Sequence, residues 1–461
     1  MSINRDTLGQ YSLFEQMTWR TTVSIEPDHK LAVLSKSIPW QELMEKAVVI
    51  LYDEQGISPN TGRPLNLRAH LGAYILQTVH GWTDRWTEEM LRFYIPARIF
   101  CGYLESEGSL DHTSIEEFRN RFGTKGAELI TQDMMGVAKE FGFTVADDVD
   151  MDTTVQEAGI THPTEMKLMS QLFRKMQAIN EQIKKTGRRG LSGIGKLARE
   201  FKRIADEYRL FGKEKTKEKK DEMTKAAKVL AEQALLTFST ILPGAKAFES
   251  LKGRTQRDIL KLLHLGPQLM EQIGYWLSTG KVAKDKIVSL WKLIPTAIPK
   301  GKIGKPVEFG RKWLINCYRG GYLLVRATEN PKMADAHCVL ESLSLHSEVF
   351  DKMPTTYGAD RAMWSQDNLE LCLSAGIDKV ALQPKGKAKA LVNRRDLREF
   401  SRRRAAMEPR IGHLKMRGMG RSKMKTDSGD LISGYRSALS WNLSLLMRDL
   451  ASKTMDVVPQ C

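Results

Sequence analysis

The chain has 461 residues, enough for two or three domains, and a hydrophobic share of 41% that is ordinary for a globular protein. Lys and Arg outnumber Asp and Glu by 71 to 55, a net charge of +16 that predicts a polyanionic partner, with nucleic acid ahead of a membrane surface because no basic amphipathic stretch faces a Trp/Phe side. The five cysteines (Cys101, Cys317, Cys338, Cys372 and Cys461) form no Cys-x-x-Cys pair, which excludes a zinc ribbon or disulfide framework and fits a reducing compartment.

The first sixteen residues, Met1–Gln16, lack the apolar core of a signal peptide, and no uncharged apolar run approaches membrane-spanning length. Residues 1 to about 140 read as mostly helical. Apolar residues recur at Leu67, Leu71, Tyr74 and Ile75, a helical stripe. The run Asp111-His-Thr-Ser-Ile-Glu-Glu-Phe-Arg predicts a helix capped by Thr113 or Ser114 and ended by Gly123.

At Phe143 the period changes from helical to alternating. Val149, Met151, Thr153 and Val155 fall on one side and Asp150, Asp152 and Thr154 on the other, so a strand with a row of carboxylates is expected. His162 to Glu165 reads as a turn into a helix capped by Thr164. From Met166 to about Trp291 the chain is helical again. Leu168, Leu172, Met176, Ile179 and Ile183 recur at steps of four and three, as a packing seam does. Two charged stretches follow, and the whole region reads as a helical insertion. Its seam must be covered within the insertion or by a second subunit. Arg188, Arg189, Lys196 and Lys202 are its candidate DNA contacts.

Strand character returns at Trp313–Tyr318 and Tyr322–Thr328. Asp360 falls where a strand gives way to a helix capped by Ser365, and Val380-Ala-Leu-Gln reads as a further short strand. The loop Lys385-Gly-Lys-Ala-Lys is basic. The last helical segment is dominated by Arg402, Arg403, Arg404 and Arg410, with Glu408 among them and Lys415 two turns beyond it on the same face. Each acid, taken alone, reads as readily as a surface or turn carboxylate. Three acids amid Lys and Arg are what two hard cations on a phosphodiester require.

Taken in order, these segments resemble the DDE transposases of bacterial insertion sequences. The resemblance rests on Asp111-His-Thr-Ser-Ile-Glu-Glu-Phe-Arg119, on Asp152-Thr-Thr-Val-Gln-Glu-Ala through Pro163-Thr-Glu165, and on Gly304-Lys-Pro-Val-Glu-Phe-Gly-Arg-Lys312. It continues through Asp360-Arg-Ala-Met-Trp-Ser365, Glu408 to Lys415, and Gly429-Asp430 to Asn442-Leu443. It departs from the pattern at Ala362, where glycine is usual, and at Pro409, which puts Glu408 at a helix start or a kink.

The resemblance implies an α/β fold: an RNase H-like mixed sheet with flanking helices (residues 141–165 and 301–455), interrupted by a helical insertion (166–300) and preceded by a helical N-terminal DNA-binding domain (1–140). It implies Asp152, Asp360 and Glu408 as catalytic residues holding two Mg²⁺, for which Mn²⁺ would substitute. Lys415, Arg404, Arg361, Arg410 and Arg417 would meet DNA. The implied activity is cleavage of inverted-repeat ends and strand transfer to target DNA, by a homo-oligomer assembled on DNA in the bacterial cytoplasm beside the nucleoid. A DNA-binding protein without catalysis and a nuclease that cannot join strands are the alternatives.

Overall fold

The computed structural model describes residues 28–53, 65–103, 108–211, 214–292, 296–302, 305–384 and 392–455. The basic loop at 385–389 lies outside the described residues. The fold is mixed α/β with a helical majority. It divides into two units, one of residues 1–159 and 311–461 and the other of residues 160–310.

The first unit opens with helices α1 (Lys30–Ser37), α2 (Trp40–Val48), α3 (Leu67–His80), α4 (Asp84–Phe93), α5 (Ile95–Phe100) and α6 (His112–Glu140). The expected stripe on α3 is there, but the helix is buried almost all round. Asn66 caps it by accepting the Ala69 N–H, and Gly81 ends it in the left-handed region. At α6 the cap differs from expectation. Asp111, two to three residues earlier, accepts the N–H groups of both Thr113 and Ser114, which a hydroxyl at either later position could not do. Gly123 does not stop the helix outright: at φ 61° it kinks one helical segment into the next.

Strand β1 (Asp148–Glu157) follows. After the second unit come the end of β3 (Lys305–Cys317), β4 (Leu323–Ala327), α12 (Cys338–Phe350), β5 (Thr356–Ala359), α13 (Gln366–Ser374) and β6 (Lys379–Ala381). The chain closes with α14 (Arg394–Ala405), α15 (Met407–Leu414) and α16 (Asp427–Met455). β1, β5 and β6 are parallel, β3 and β4 antiparallel, and β1 lies between β3 and β5. Hydrogen-bonded neighbours on both sides make β1 an inner strand of the sheet. The carboxylate row on β1 is therefore internal to the sheet rather than a solvent-facing edge, and Asp150 is 5% exposed.

In the second unit, α7 (Glu165–Lys185), α8 (Ile194–Phe211), α9 (Lys217–Phe238), the short α10 (Lys246–Glu249) and α11 (Gly253–Thr279) make a helical bundle. Strand β2 (Thr296–Lys302) pairs with the first part of β3. Thr164 caps α7 as expected. The seam of Leu168, Leu172, Met176, Ile179 and Ile183 is buried inside this unit, where α7 packs on α8, α9 and α11. It is thus not open to a second subunit. Arg188, Arg189, Lys196 and Lys202 are exposed. Among the described residues no helix is long and apolar enough to cross a membrane.

Candidate active site

The parallel register of β1 and β5 sets Met151 against Ala359, so Asp152, midway along β1, lies level with Asp360, the first residue past the carboxyl end of β5. Clefts for ligands open at that end of parallel strands. Asp360 leaves β5 into a single 3₁₀ turn (Arg361–Met363), and Ser365 then caps α13 through the Asn368 N–H, as the sequence implied. Burial pushes the Asp152 carboxyl above its ordinary pKa. The negative charges of Asp360 and Asp335 add to that push, while the Thr153 N–H and Arg404 oppose it.

Above this pair lies α14, whose consecutive arginines divide the carboxylates between them. Arg403 donates through Nε to Asp150 Oδ2 at 2.7 Å and through Nη1 to Asp148 Oδ1 at 3.3 Å and Thr356 Oγ1 at 3.0 Å. Arg404 donates through Nη2 to Asp360 Oδ1 at 2.9 Å. The helix can lie this close because β5 carries Gly358. A β-carbon there would stand 2.7 Å from Asp150 Oδ1 and 2.8 Å from the Phe400 ring. Asp150, the nearest substitute for Asp152 on the same strand, is committed to this buried ion pair, and burial raises its pKa despite Arg403.

Asp335 and Lys312 belong to the same corner, and sequence reasoning passed over both as separate functional positions. Asp335 Oδ1 accepts from Lys312 Nζ at 2.7 Å and from Thr153 Oγ1 at 3.0 Å. Thr153 in turn gives its N–H to Asp152 Oδ1 at 2.6 Å. Asn368 donates its side-chain amide to the carbonyls of both Ala336 and Met363, which joins the Asp335 turn to the Asp360 turn. The signal for Lys312 was its place at the end of the Gly304–Lys312 segment. Asp335 had no local pattern; its role follows from packing alone.

Glu408 lies in the first turn of α15 and is exposed. The helix break before it is the expected one. Pro409 has no N–H for the carbonyl four residues back, so α14 ends at Ala405 and α15 restarts at Met407. Among the described residues no three Asp, Glu, His or Cys side chains are grouped closely enough to hold a metal ion. Glu408 therefore stands apart from the aspartate pair. The pair itself has the right chemistry for a hard divalent cation, one carboxylate mid-strand on β1 and one just past the end of β5, whose mutual repulsion a cation would relieve.

The remaining basic candidates divide in two. Arg361 is exposed beside Asp360, and Lys415 is half-buried at the end of α15. Arg410 turns inward, with Nη1 2.8 Å from the Cys317 sulfur. Arg417 donates to the Ser440 carbonyl and hydroxyl and to Ser444, beside the Trp441 ring. These last two hold α15 and the following turn onto the sheet and onto α16.

Residues 20–121 match the family model described as "Transposase domain (DUF772)". Over those residues the chain is similar to a transposase domain. Within it lie α1 to α5 and the start of α6, including the Asp111 cap. The chain is also 28% identical over 198 residues to a protein of Rhizobium meliloti described as "Uncharacterized protein ORF8 in nfe locus", a match that covers 41% of this chain and 87% of that protein. No solved structure matches.

Proposed function

We propose that this protein is a DDE transposase that binds the inverted-repeat ends of its element, cleaves them and joins them to target DNA. The observation that supports this best is the convergence of Asp152 and Asp360 from distant parts of the chain, level with each other where β5 ends beside the middle of β1, downstream of the segment that matches a transposase-domain model. In this reading the sheet of the first unit is an RNase H-like core. Asp152 and Asp360 supply the paired oxygen donors, and Glu408 joins them when DNA and cation are bound. Two Mg²⁺ ions, or Mn²⁺ in their place, would supply the Lewis acidity that activates a water or a DNA 3′-OH and stabilises the departing oxygen. The chain's own residues fix where the phosphodiester lies. Arg361, Arg404 and Lys415 present positive charge around the pair, and the Lys312–Asp335–Thr153 chain holds the backbone on which Asp152 stands. The exposed Arg188, Arg189, Lys196 and Lys202 widen the DNA-contacting surface. A homo-oligomer on DNA brings two such sites to two ends.

The test is nicking and strand transfer on a labelled end substrate with Mg²⁺. Asp152→Asn, Asp360→Asn and Glu408→Gln each abolish nicking and leave end binding. Wild-type nicking in any one of the three removes that residue from the site. The separation of Glu408 from the pair favours a second reading, DNA binding without catalysis. An inactive wild-type protein that still binds ends supports it, and cleavage without joined product would point instead to a nuclease.

A further inference from the structure

Asp360 Oδ1 carries two donors, the N–H of Arg361 and the guanidinium of Arg404. A carboxylate oxygen has two lone pairs, so both are engaged. We propose that Arg404 is a built-in competitor of the divalent cation at the aspartate pair: it neutralises Asp360 when the site holds no cation, and it must swing off before Asp360 Oδ1 can become a ligand. The inference rests on the assignment of Asp152 and Asp360 as cation donors.

Three features make the swing a side-chain event and not an unfolding. The Arg404–Asp360 pair is half-open, with side-chain exposures of 39% and 43%, so neither group pays full desolvation when it parts. Arg403, one residue back, keeps α14 on the sheet through Asp148, Asp150 and Thr356. The guanidinium, once released, stays beside the carboxylates, where an incoming phosphate would need positive charge. One arginine thus serves two anions in turn.

The experiment is a Mn²⁺ titration of the full-length protein without DNA, followed by calorimetry and by the electron-spin signal of free Mn²⁺. Arg404→Gln is expected to bind Mn²⁺ about two- to fivefold more tightly than wild type at low salt, the reach of a half-exposed ion pair. The gap narrows as salt screens the pair. Arg404→Lys, which keeps one positive charge, binds close to wild type. Affinity in Arg404→Gln that equals or falls below wild type overturns the competition, and so does a lysine variant as tight as the glutamine one. Asp360→Asn separates the two levels of the argument. Lost binding there with an unchanged Arg404→Gln sinks only the competitor. Wild-type binding in Asp360→Asn removes the aspartate pair as the cation site, and the competitor with it.

Discussion

Arg403 and Arg404 are neighbours on one helix and both reach carboxylates of the β1–β5 pair, yet they sit in different physical worlds. By side chain alone, Arg403 is 20% exposed and its partner Asp150 7%; Arg404 is 39% exposed and its partner Asp360 43%. Buried, an ion pair is architecture: removing one member strands a charge in a poor solvent. Half-open, the same pair contributes little stability and can be exchanged for another counter-charge. The corner thus changes character over a short distance, from the cemented carboxylate of Asp150 to the open one of Asp360.

The largest effect that would sharpen this contrast is on catalysis. Asp152→Asn or Asp360→Asn should lower end nicking by at least about 10²–10³-fold, the scale of removing one electrostatic stabiliser, with the cooperative melt retained. A melt that collapses instead would make the aspartate pair structural as well. Next in size is Arg403→Ala. It should destabilise the protein by about 3–5 kcal/mol in denaturant titration, and adding Asp150→Asn should restore part of the loss. A cost below about 1 kcal/mol would erase the distinction between the two arginines.

Acid offers a third probe. Burial holds the carboxyls of Asp150 and Asp152 above their ordinary range, so their favourable contribution is complete in acid and lost as pH rises through their folded values. Neither pair should drive acid unfolding. His70 works the other way. Its Nδ1 lies 2.7 Å from the Asn66 carbonyl and its Nε2 2.7 Å from the Ser114 hydroxyl, and burial lowers its pKa from 6.5 to about 4. Its contribution is present above pH 6.5 and lost as pH falls towards 4, up to about 3 kcal/mol. Stability measured from pH 7 to 4 should fall less steeply in His70→Gln, and an identical slope would clear His70. The smallest effect is expected from Thr153→Val, which removes the hydroxyl from Asp335: about 1 kcal/mol of stability, but roughly 10-fold in nicking if the tie positions Asp152. Equal activity would reduce the Lys312–Asp335–Thr153 chain to packing.

What could be read from the amino-acid order follows how local the cause is. The strand at Asp152, the turn from Asp360 into a helix capped by Ser365, the Thr164 cap and the break imposed by Pro409 all depend on neighbours within a few residues, and all are present. The Asp111 cap lies two to three residues before the expected one because three nearby polar side chains, Asp111, Thr113 and Ser114, each could cap, and only backbone geometry chooses. Asp335 was invisible because its meaning lies in Thr153, 182 positions away. The contacts of Arg410 with Cys317 and of Arg417 with Ser440 and Ser444 were likewise hidden. A basic residue on a helix looks the same whether it faces phosphate or a sulfur and a row of serine oxygens.

Asp148 and Thr356, bonded across β1 and β5, are 208 positions apart, and the whole second unit lies between them. During synthesis, at about 5–20 residues per second, β1 would wait on the order of 10–40 s for the strand that completes it. The bundle of the second unit, which buries its own seam, needs nothing from that later strand. The acid pair is therefore among the last things the nascent chain can assemble. A product that stops before β5 would carry the segment similar to a transposase domain and a complete helical bundle, but only half of the site.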